Sequence, residues 1–136
     1  MNDNALRVFT LKQKWAVIGV TDDISKYGYK IYDKLKQNHK TTYGINPKYH
    51  NIENNKIYSS VESVDDDIEV VVFVVNPNIG IKYLDSVISK NIENIWLQPG
   101  TVSDELLLKA KQNHINVIEA CVLLVSNYEN EAKNKK

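Results

Sequence analysis

Short runs of apolar residues, separated by amphipathic segments, form the main pattern of this chain. The runs of strand length lie at residues 15–20, 42–45, 68–75, 95–97 and 116–119. The longest of them, at 68–75, is rich in β-branched residues, which favour strands. Apolar runs without polar alternation are typical of strands that are buried on both faces of a parallel sheet. The pattern therefore predicts five parallel strands.

The segments between these strands carry apolar residues at helical spacing. The predicted helices are a leading helix at 4–12, helices with apolar faces at 29–35 and 79–88, and a helix at 106–110 that Ser103 caps. The polar and irregular region 49–67 predicts a loop with a short helical turn. The chain is expected to close in a polar tail at 129–136.

Strands that alternate with helices imply right-handed crossovers, with helices on both faces of the sheet. We predict one α/β domain over residues 1–136, with a Rossmann-like three-layer architecture that the leading helix at 1–13 flanks. The expected strand order is 3-2-1-4-5, which places strand 68–75 beyond strand 42–45. In such a sheet, ligands bind outside the carboxyl ends of the strands, where the strand order reverses.

Composition and charge narrow the classes of partner. The 136 residues include 17 basic and 17 acidic side chains, so no excess of positive charge is available for nucleic acid or a membrane surface. No segment reaches the roughly 20 apolar residues of a membrane helix, and residues 1–14 lack the apolar core of a signal peptide. The single cysteine, Cys121, excludes an internal disulfide framework and fits a reducing compartment. We therefore expect a cytoplasmic protein that binds neither nucleic acid nor membrane.

Turn-forming residues concentrate at the predicted ends of the strands. All three prolines of the chain follow strands, in the segments Asn46-Pro47-Lys48, Val75-Asn76-Pro77 and Gln98-Pro99-Gly100. The first strand ends in Gly19-Val20-Thr21, and Gly28 then opens a helix. A glycine turn ahead of a helix exposes backbone N–H groups to phosphate. These segments predict a nucleotide site, although proline also ends strands for structural reasons alone.

Lys48 separates the possible nucleotides. A site for NAD places Asp or Glu after the second strand, where the carboxylate accepts hydrogen bonds from the ribose. This chain has Asn46 and Lys48 there, which favour a ligand with a phosphate on its ribose, such as coenzyme A or NADP. The alternative is that Lys48 is simply an exposed lysine in a lysine-rich chain.

These motifs, taken in order, resemble those of the small stand-alone coenzyme A-binding proteins of bacteria. The resemblance extends from about Lys14 to Tyr128 and rests on residues 15–21, 28–30, 46–48, 74–77, 95–100 and 121. That family is similar to the coenzyme A-binding domain of the succinyl-coenzyme A synthetase α-subunit and of the acyl-coenzyme A synthetases that form ADP. The resemblance implies a Rossmann-like domain that binds coenzyme A.

The resemblance also implies a role for each segment. The turn Gly19-Val20-Thr21 would approach the phosphates of the ligand, with Gly28 opening the helix behind it and Lys48 near the adenosine phosphate. Val75, Asn76 and Pro77 would flank the adenine or the ribose. Gln98, Pro99 and Gly100 would line the path toward the pantetheine arm.

The chain departs from the pattern of that family at two places. The family usually has Gly-Ala-Ser where this chain has Gly19-Val20-Thr21, and Asp-Arg-Cys where this chain has Glu119-Ala120-Cys121. Any role of that arginine is therefore absent here. Cys121 follows the fifth strand on the ligand edge and could form a mixed disulfide with the thiol of coenzyme A. A free cysteine more often packs as a small apolar residue.

Other chemistry-bearing residues predict no further site. The three histidines stand apart from acidic or thiol partners and predict no metal site. The acidic run 65–67 precedes a strand and predicts a solvated turn. Trp15 and Trp96 lie inside strand patterns and are expected in the core.

Two functions remain open at this point. The first is a non-catalytic module that binds coenzyme A or an acyl derivative, as a carrier, a sensor, or the partner of a synthetase whose other domains are encoded separately. The absence of a recognisable catalytic constellation favours this function. The alternative is a small NADP-linked oxidoreductase or redox-sensing domain, which Lys48 fits equally well. A chain of 136 residues leaves little room for the substrate domain of an oxidoreductase.

Overall fold

The computed structural model describes residues 2–134, which contain five helices and seven strands. The helices are α1 (Asp3–Leu11), α2 (Tyr27–Gln37), α3 (Pro77–Ser89), α4 (Asp104–Gln112) and α5 (Val122–Asn134). The strands are β1 (Lys14–Ile18), β2 (Thr41–Ile45), β3 (Asn51–Ile52), β4 (Asn55–Tyr58), β5 (Val70–Phe73), β6 (Asn94–Leu97) and β7 (Asn116–Glu119). None of the helices in this part of the chain is long and apolar enough to cross a membrane.

The strands form one sheet in the order β3-β4-β2-β1-β5-β6-β7. Neighbouring strands are parallel, except that β3 and β4 form an antiparallel hairpin at one edge. Apolar residues of α1, α2 and α5 pack on one face of the sheet, and those of α3 and α4 pack on the other. This arrangement confirms the predicted α/β, Rossmann-like fold with a largely parallel sheet.

The predicted strand order is wrong in the position of strand 68–75. The strand within that segment, β5, pairs with β1, and Trp15 lies opposite Val70. The place beyond β2 is taken by β4, whose Ile57 lies opposite Gly44. The six parallel strands follow the order 3-2-1-4-5-6 once β4 is counted as the third. The misplacement arose because β4 itself was absent from the predicted set.

The hairpin of β3 and β4 lies in region 49–67, which the sequence predicts as a loop. Its two turn residues, Glu53 and Asn54, have φ angles of 48° and 66°, and positive φ at both positions is what a two-residue type I′ turn requires. Each strand buries one isoleucine, Ile52 and Ile57, in the core beneath α2. Two strands of two and four residues are too short to show a periodic apolar pattern. The hairpin therefore depends on tertiary contacts.

The predicted polar tail at 129–136 is helical in α5 as far as Asn134, and its last two residues lie outside the described part of the chain. Glu129 is only 7% exposed. The Thr10 hydroxyl donates to Glu129 Oε2 over 2.6 Å, and Lys133 Nζ donates to Oε1 over 3.1 Å. Burial alone would raise the pKa of Glu129, but these hydrogen bonds outweigh it and keep the pKa below its usual value. The contact of Glu129 with Thr10 in α1 thus helps α5 to continue into a polar sequence.

Three helices end at a residue with a left-handed backbone that is not glycine. His39, Asn91 and His114 have φ angles of 62°, 56° and 58°. In each case the N–H of the following residue donates to a carbonyl five residues earlier in the helix, as at Ile115 and Ala110. This is the Schellman arrangement, in which glycine is the usual residue.

Replacing His114 by glycine is expected to raise the free energy of unfolding by about 0.5–1 kcal/mol. Glycine avoids the roughly 1–2 kcal/mol that a left-handed backbone costs another residue. It also loses about 0.5–1 kcal/mol more conformational entropy on folding, which offsets part of this gain. Urea denaturation measures the change. His50→Gly is the matched control, because His50 is also exposed and has no positive φ. A His114→Gly protein no more stable than wild type would contradict the prediction.

Candidate functional site

The strand order of this sheet reverses between β1 and β5. The chain leaves β1 through α2 to β2 on one side, whereas β5 and the later strands extend on the other side. The carboxyl ends of β1 and β5 therefore lie side by side at the point where parallel α/β sheets bind ligands. The predicted site segments follow β2, β1, β5, β6 and β7. They therefore lie along the side of the sheet where the parallel strands end, over four strand spacings, or about 19 Å. We call this side the carboxyl edge, and the opposite side, where the strands begin, the amino edge.

Two glycines let three backbone segments meet at this point. Gly19 has a φ of 97°, and a Cβ there would lie 2.3 Å from the carbonyl oxygen of Val74 and 3.0 Å from Cγ1 of Val75. A Cβ on Gly28 would lie 2.1 Å from the carbonyl oxygen of Gly19. Real Cβ atoms do not approach backbone oxygens so closely. The turn after β1 is thus packed, backbone to backbone, between the end of β5 and the start of α2.

The segment after β2 supplies two residues that hold the same turn. Asn46 Nδ2 donates to the carbonyl oxygen of Val20 over 2.9 Å, and Asn46 Oδ1 accepts from the N–H of Lys48 over 2.9 Å. The Tyr49 hydroxyl lies 3.1 Å from Thr21 Oγ1 and 3.2 Å from Asp22 Oδ1. Tyr49 is not among the predicted site residues, because it falls in region 49–67, which the sequence predicts as a loop. Its position two residues after Pro47, in a turn that follows a strand, was the signal that could have indicated Tyr49 as a site residue.

Val20 is buried and reaches the edge only through its backbone. Its side chain is 0% exposed and packs in the core on the α2 side of the sheet. The same region explains Gly44 in β2, where a Cβ would lie 3.1 Å from Val20 Cγ2 and 2.8 Å from Ile57 Cδ1. The side chain that replaces the usual alanine of the resembled family is therefore accommodated in the core.

The segment after β5 opens α3 at the same edge. Asn76 Oδ1 accepts from the N–H of Ile79 over 3.1 Å, and Pro77 is the first residue of the helix. An asparagine cap followed by proline is a strong local signal for a helix start. Val75 is half-buried beside Gly19, and Asn76 is exposed. The structure thus brings this segment against the turn after β1.

Gln98 links the ends of β6 and β7. Its side chain is buried, and its Oε1 accepts from the N–H of Val122, at the start of α5, over 2.7 Å. Its main-chain oxygen accepts from the Thr101 hydroxyl over 2.7 Å. Beyond it, Pro99 and Gly100 are exposed, and Gly100 has a φ of 89° with open space where a Cβ would lie.

Cys121 is half-buried immediately before α5. The structure places it beside the Gln98 contact with Val122, at the β7 end of the edge. Lys48 lies near the opposite end of the edge, after β2. Lys48 is exposed, and its ammonium makes no ion pair with any residue between 2 and 134.

The electrostatic character of the cavities differs between the two edges of the sheet. A cleft of about 260 Å³ lies next to the segment that follows β2; its lining includes Pro47, Tyr49, His50 and Lys56 but no carboxylate. A larger cavity of about 470 Å³ lies at the amino edge, where four carboxylates and two lysines line it. An excess of negative charge repels phosphate. Of these two cavities, the cleft after β2 is therefore the better suited to a phosphate-bearing ligand.

The acidic run 65–67 has a structural role at the amino edge. Lys14 Nζ and the Tyr43 hydroxyl donate to the two oxygens of Asp66 over 2.7 and 2.5 Å. The bonds from Lys14 and Tyr43 lower the pKa of Asp66 to about 2, and the bond to Asp66 raises the pKa of Tyr43 to about 12. Among residues 2–134, no group of three or more His, Cys, Asp or Glu side chains is placed to hold a metal ion.

Comparison with known proteins identifies relatives that carry this fold. A family model described as "CoA binding domain" matches residues 13–127. The acetate–CoA ligase [ADP-forming] of Methanocaldococcus jannaschii is 42% identical over 77 residues, which are 57% of this chain and 11% of the ligase. The chain therefore corresponds to a small part of that curated relative.

Solved structures agree with the family match in fold. A hypothetical protein from Pyrococcus horikoshii OT3 has a TM-score of 0.89 and 25% identity, with 94% of this chain and 92% of that chain covered. A dinucleotide-forming acetyl-coenzyme A synthetase 1 of Ca. Korarchaeum cryptofilum, in complex with phosphate and ADP, has a TM-score of 0.71 and 24% identity. In that pair, 86% of this chain and 27% of the synthetase chain are covered. The resemblance drawn from the sequence is to bacterial proteins, whereas these relatives are archaeal.

Proposed function

Because this chain belongs to the family of CoA-binding domains, we propose that it binds coenzyme A or an acyl-coenzyme A along the carboxyl edge of its sheet. The observation that carries the proposal is the turn after β1. Gly19 and Gly28 bring this turn, the end of β5 and the start of α2 into backbone contact. Backbone N–H groups at a turn and a helix N-terminus bind phosphate well.

Each segment of the edge has a role in this proposal. Gly19-Val20-Thr21 and Gly28 receive the pyrophosphate, and Asn46-Pro47-Lys48 receives the phosphorylated ribose. Val75-Asn76-Pro77 flanks the adenosine, and Gln98-Pro99-Gly100 guides the pantetheine arm toward Cys121. A ligand that meets segments spread over about 19 Å has to be elongated. Coenzyme A satisfies this requirement because it joins a nucleotide to a long flexible arm.

We further propose that the domain binds without catalysing a reaction itself. The functional segments consist of turn residues, one lysine and one cysteine, with no paired acid and base aimed at a common point. Such a domain can act as a carrier, a sensor, or the partner of a synthetase encoded separately. The 42% identity to a part of an acetate–CoA ligase supports the last of these, because a domain similar to this one occurs within such an enzyme.

Replacing Lys48 by glutamate is expected to weaken coenzyme A binding by roughly 1–3 kcal/mol, because a charge-assisted contact with the ribose phosphate is lost. Isothermal titration calorimetry measures the affinity. The loss should be much smaller for 3′-dephospho-coenzyme A, which lacks that phosphate. Lys111→Glu is the control, because it makes the same change of charge in the last turn of α4, at the amino edge of the sheet. Equal affinity of the wild-type protein for both ligands would refute the role of Lys48.

The same titrations test the NADP alternative. Lys48 would suit the 2′-phosphate of NADP as well as the 3′-phosphate of coenzyme A. Coenzyme A, NADPH and NADH are therefore titrated in parallel with the wild-type protein. Binding of coenzyme A alone supports the proposal, whereas binding of NADPH alone overturns it in favour of the redox alternative.

A further inference from the structure

A chain of hydrogen bonds with a fixed direction runs through the turn after β1. The N–H of Asp23 donates to Thr21 Oγ1 over 3.2 Å, and Thr21 Oγ1 lies 3.1 Å from the Tyr49 oxygen. The Tyr49 hydroxyl lies 3.2 Å from Asp22 Oδ1. An ionised carboxylate can only accept, so the single hydroxyl hydrogen of Tyr49 is donated to Asp22. The Thr21 hydroxyl must therefore donate to Tyr49.

We infer that Tyr49 is a positioning residue for the phosphate-binding turn. Its hydroxyl fixes the side chain of Thr21 and holds the carboxylate of Asp22 against the loop that follows β2. The inference rests on the proposed function, since it assigns Tyr49 a role at the proposed pyrophosphate site. It concerns a side chain that touches the turn and not the ligand.

The placement of Tyr49 suits this role. Its ring packs against the core on the α2 side of the sheet, while the residue is half-buried and its hydroxyl reaches the edge. The N–H of Tyr49 also donates to the main-chain oxygen of Asn46 over 3.2 Å. Core packing of the ring and the hydrogen bond of the backbone therefore hold the Tyr49 hydroxyl in place beside the turn. A phenylalanine at this position would keep the ring and lose only the hydrogen bonds.

Asp22 gives the hydroxyl a specific electrostatic function. Asp22 is exposed at the turn, and its negative charge opposes the binding of a pyrophosphate nearby. A hydrogen bond to Tyr49 confines this charge to one side chain position and delocalises part of it. Without Tyr49, the carboxylate could reach the backbone N–H groups of the turn and compete with phosphate for them. This competition would affect every ligand that carries the pyrophosphate.

The test is a titration of coenzyme A and 3′-dephospho-coenzyme A into wild-type, Tyr49→Phe and Tyr49→Phe/Asp22→Asn proteins. We expect Tyr49→Phe to weaken the binding of both ligands about five- to tenfold, whereas Lys48→Glu weakens mainly the binding of coenzyme A. The added Asp22→Asn should restore most of the affinity, because it removes the charge that Tyr49 controls. Tyr83→Phe, on half-buried α3 surface, is the control and should bind like wild type.

The outcomes separate the inference from the proposed function. Wild-type binding of coenzyme A together with unchanged affinity in Tyr49→Phe would overturn the inference alone. A loss that Asp22→Asn fails to restore would also overturn it, since the charge of Asp22 would then not be the cause. Circular dichroism melting of each variant monitors the fold. A wild-type protein that binds neither ligand would overturn the proposed function and the inference with it.

Discussion

Gly28→Ala is expected to disrupt the proposed binding site, because the added methyl group would collide with the backbone of the turn after β1. The new Cβ would lie 2.1 Å from the carbonyl oxygen of Gly19 and 3.2 Å from its carbonyl carbon. Both atoms belong to the backbone, so no side chain can rotate away to relieve the collision. The turn and the start of α2 must therefore move apart by more than 1 Å before ordinary contact distances of about 3.5 Å return.

Two effects of Gly28→Ala follow from that displacement. The free energy of unfolding should fall by about 1–3 kcal/mol, as for other overpacked sites. Coenzyme A affinity should fall at least about tenfold, because the N–H groups of the turn no longer converge with those of α2 on one phosphate. Urea denaturation measures the first effect and calorimetry the second.

Gly80→Ala is a matched control for Gly28→Ala. Gly80 is also buried in a helix, α3, but a Cβ there would meet the side chains of Leu106 and Phe73 at 3.3 Å. Side chains can yield by a few tenths of an ångström, and alanine gains roughly 1 kcal/mol of helix propensity over glycine. The control should therefore be close to neutral in both measurements. A Gly28→Ala protein that also behaves like wild type would show that the backbone contact does not shape the site.

Trp15→Ala is expected to lower the free energy of unfolding by about 3–5 kcal/mol. Trp15 is fully buried in β1, at 0% exposure. Its ring meets the ring of Phe9 in α1 edge-on, with centroids 5.9 Å apart, and lies 5.7 Å from the ring of Trp96 in β6. Its Nε1 donates to the carbonyl oxygen of Lys12 over 2.9 Å. The substitution would remove aromatic contacts that join a helix and two strands.

Lys40 adds a second consequence of losing Trp15. Its Nζ lies 5.0 Å from the ring centroid of Phe9 and 6.0 Å from that of Trp15, and it donates to the carbonyl oxygens of Phe9 and Lys12. Burial lowers the pKa of Lys40 from its usual value. Removing the indole would admit water to this half-buried ammonium and loosen the end of α1.

Urea denaturation followed by far-UV circular dichroism measures the effect of Trp15→Ala. Trp15→Phe is the control, since it keeps an aromatic ring between Phe9 and Trp96, and its loss should be clearly smaller. A total stability of about 5–15 kcal/mol is typical of such domains, so the alanine variant should unfold at a much lower urea concentration. An alanine variant as stable as the phenylalanine variant would exclude the aromatic cluster as a major source of stability.

Local chemistry made much of the fold predictable. The strands β1, β5 and β6 are buried on both faces, so after the first residue of β1 and of β6 their sequences are apolar and stand out from the chain. Ser103 and Asn76 cap helices through their own side chains, and the residues that end a helix lie close to it in sequence. The ends of strands were harder to predict. For example, β1 ends at Ile18 although the apolar run continues to Val20. There, the left-handed backbone of Gly19 ends the strand.

The candidate site was predictable only as a set of segments. Glycine and proline turns after strands can be found without knowing which strands are neighbours, and in parallel sheets they all reach the same edge. Which segments touch is a different question. The meeting of Gly19 with Val75 depends on β5 pairing with β1, and the predicted strand order did not contain that pairing. The buried link between Gln98 and Val122 likewise joins residues 24 positions apart.

The amino-acid sequence by itself determined the α/β class, the family, the core strands and the turns that carry the candidate site. These depend on burial, helix capping and backbone preferences, which act over a few residues at a time. Tertiary structure alone decided the place of β4 beside β2, the hairpin with β3, the helical course of residues 129–134, and the contact of Tyr49 with Thr21 and Asp22. Each of these involves short or polar segments whose stability comes from partners distant in sequence. Periodicity cannot reveal them, because the pattern that stabilises them is spread over several elements of the fold.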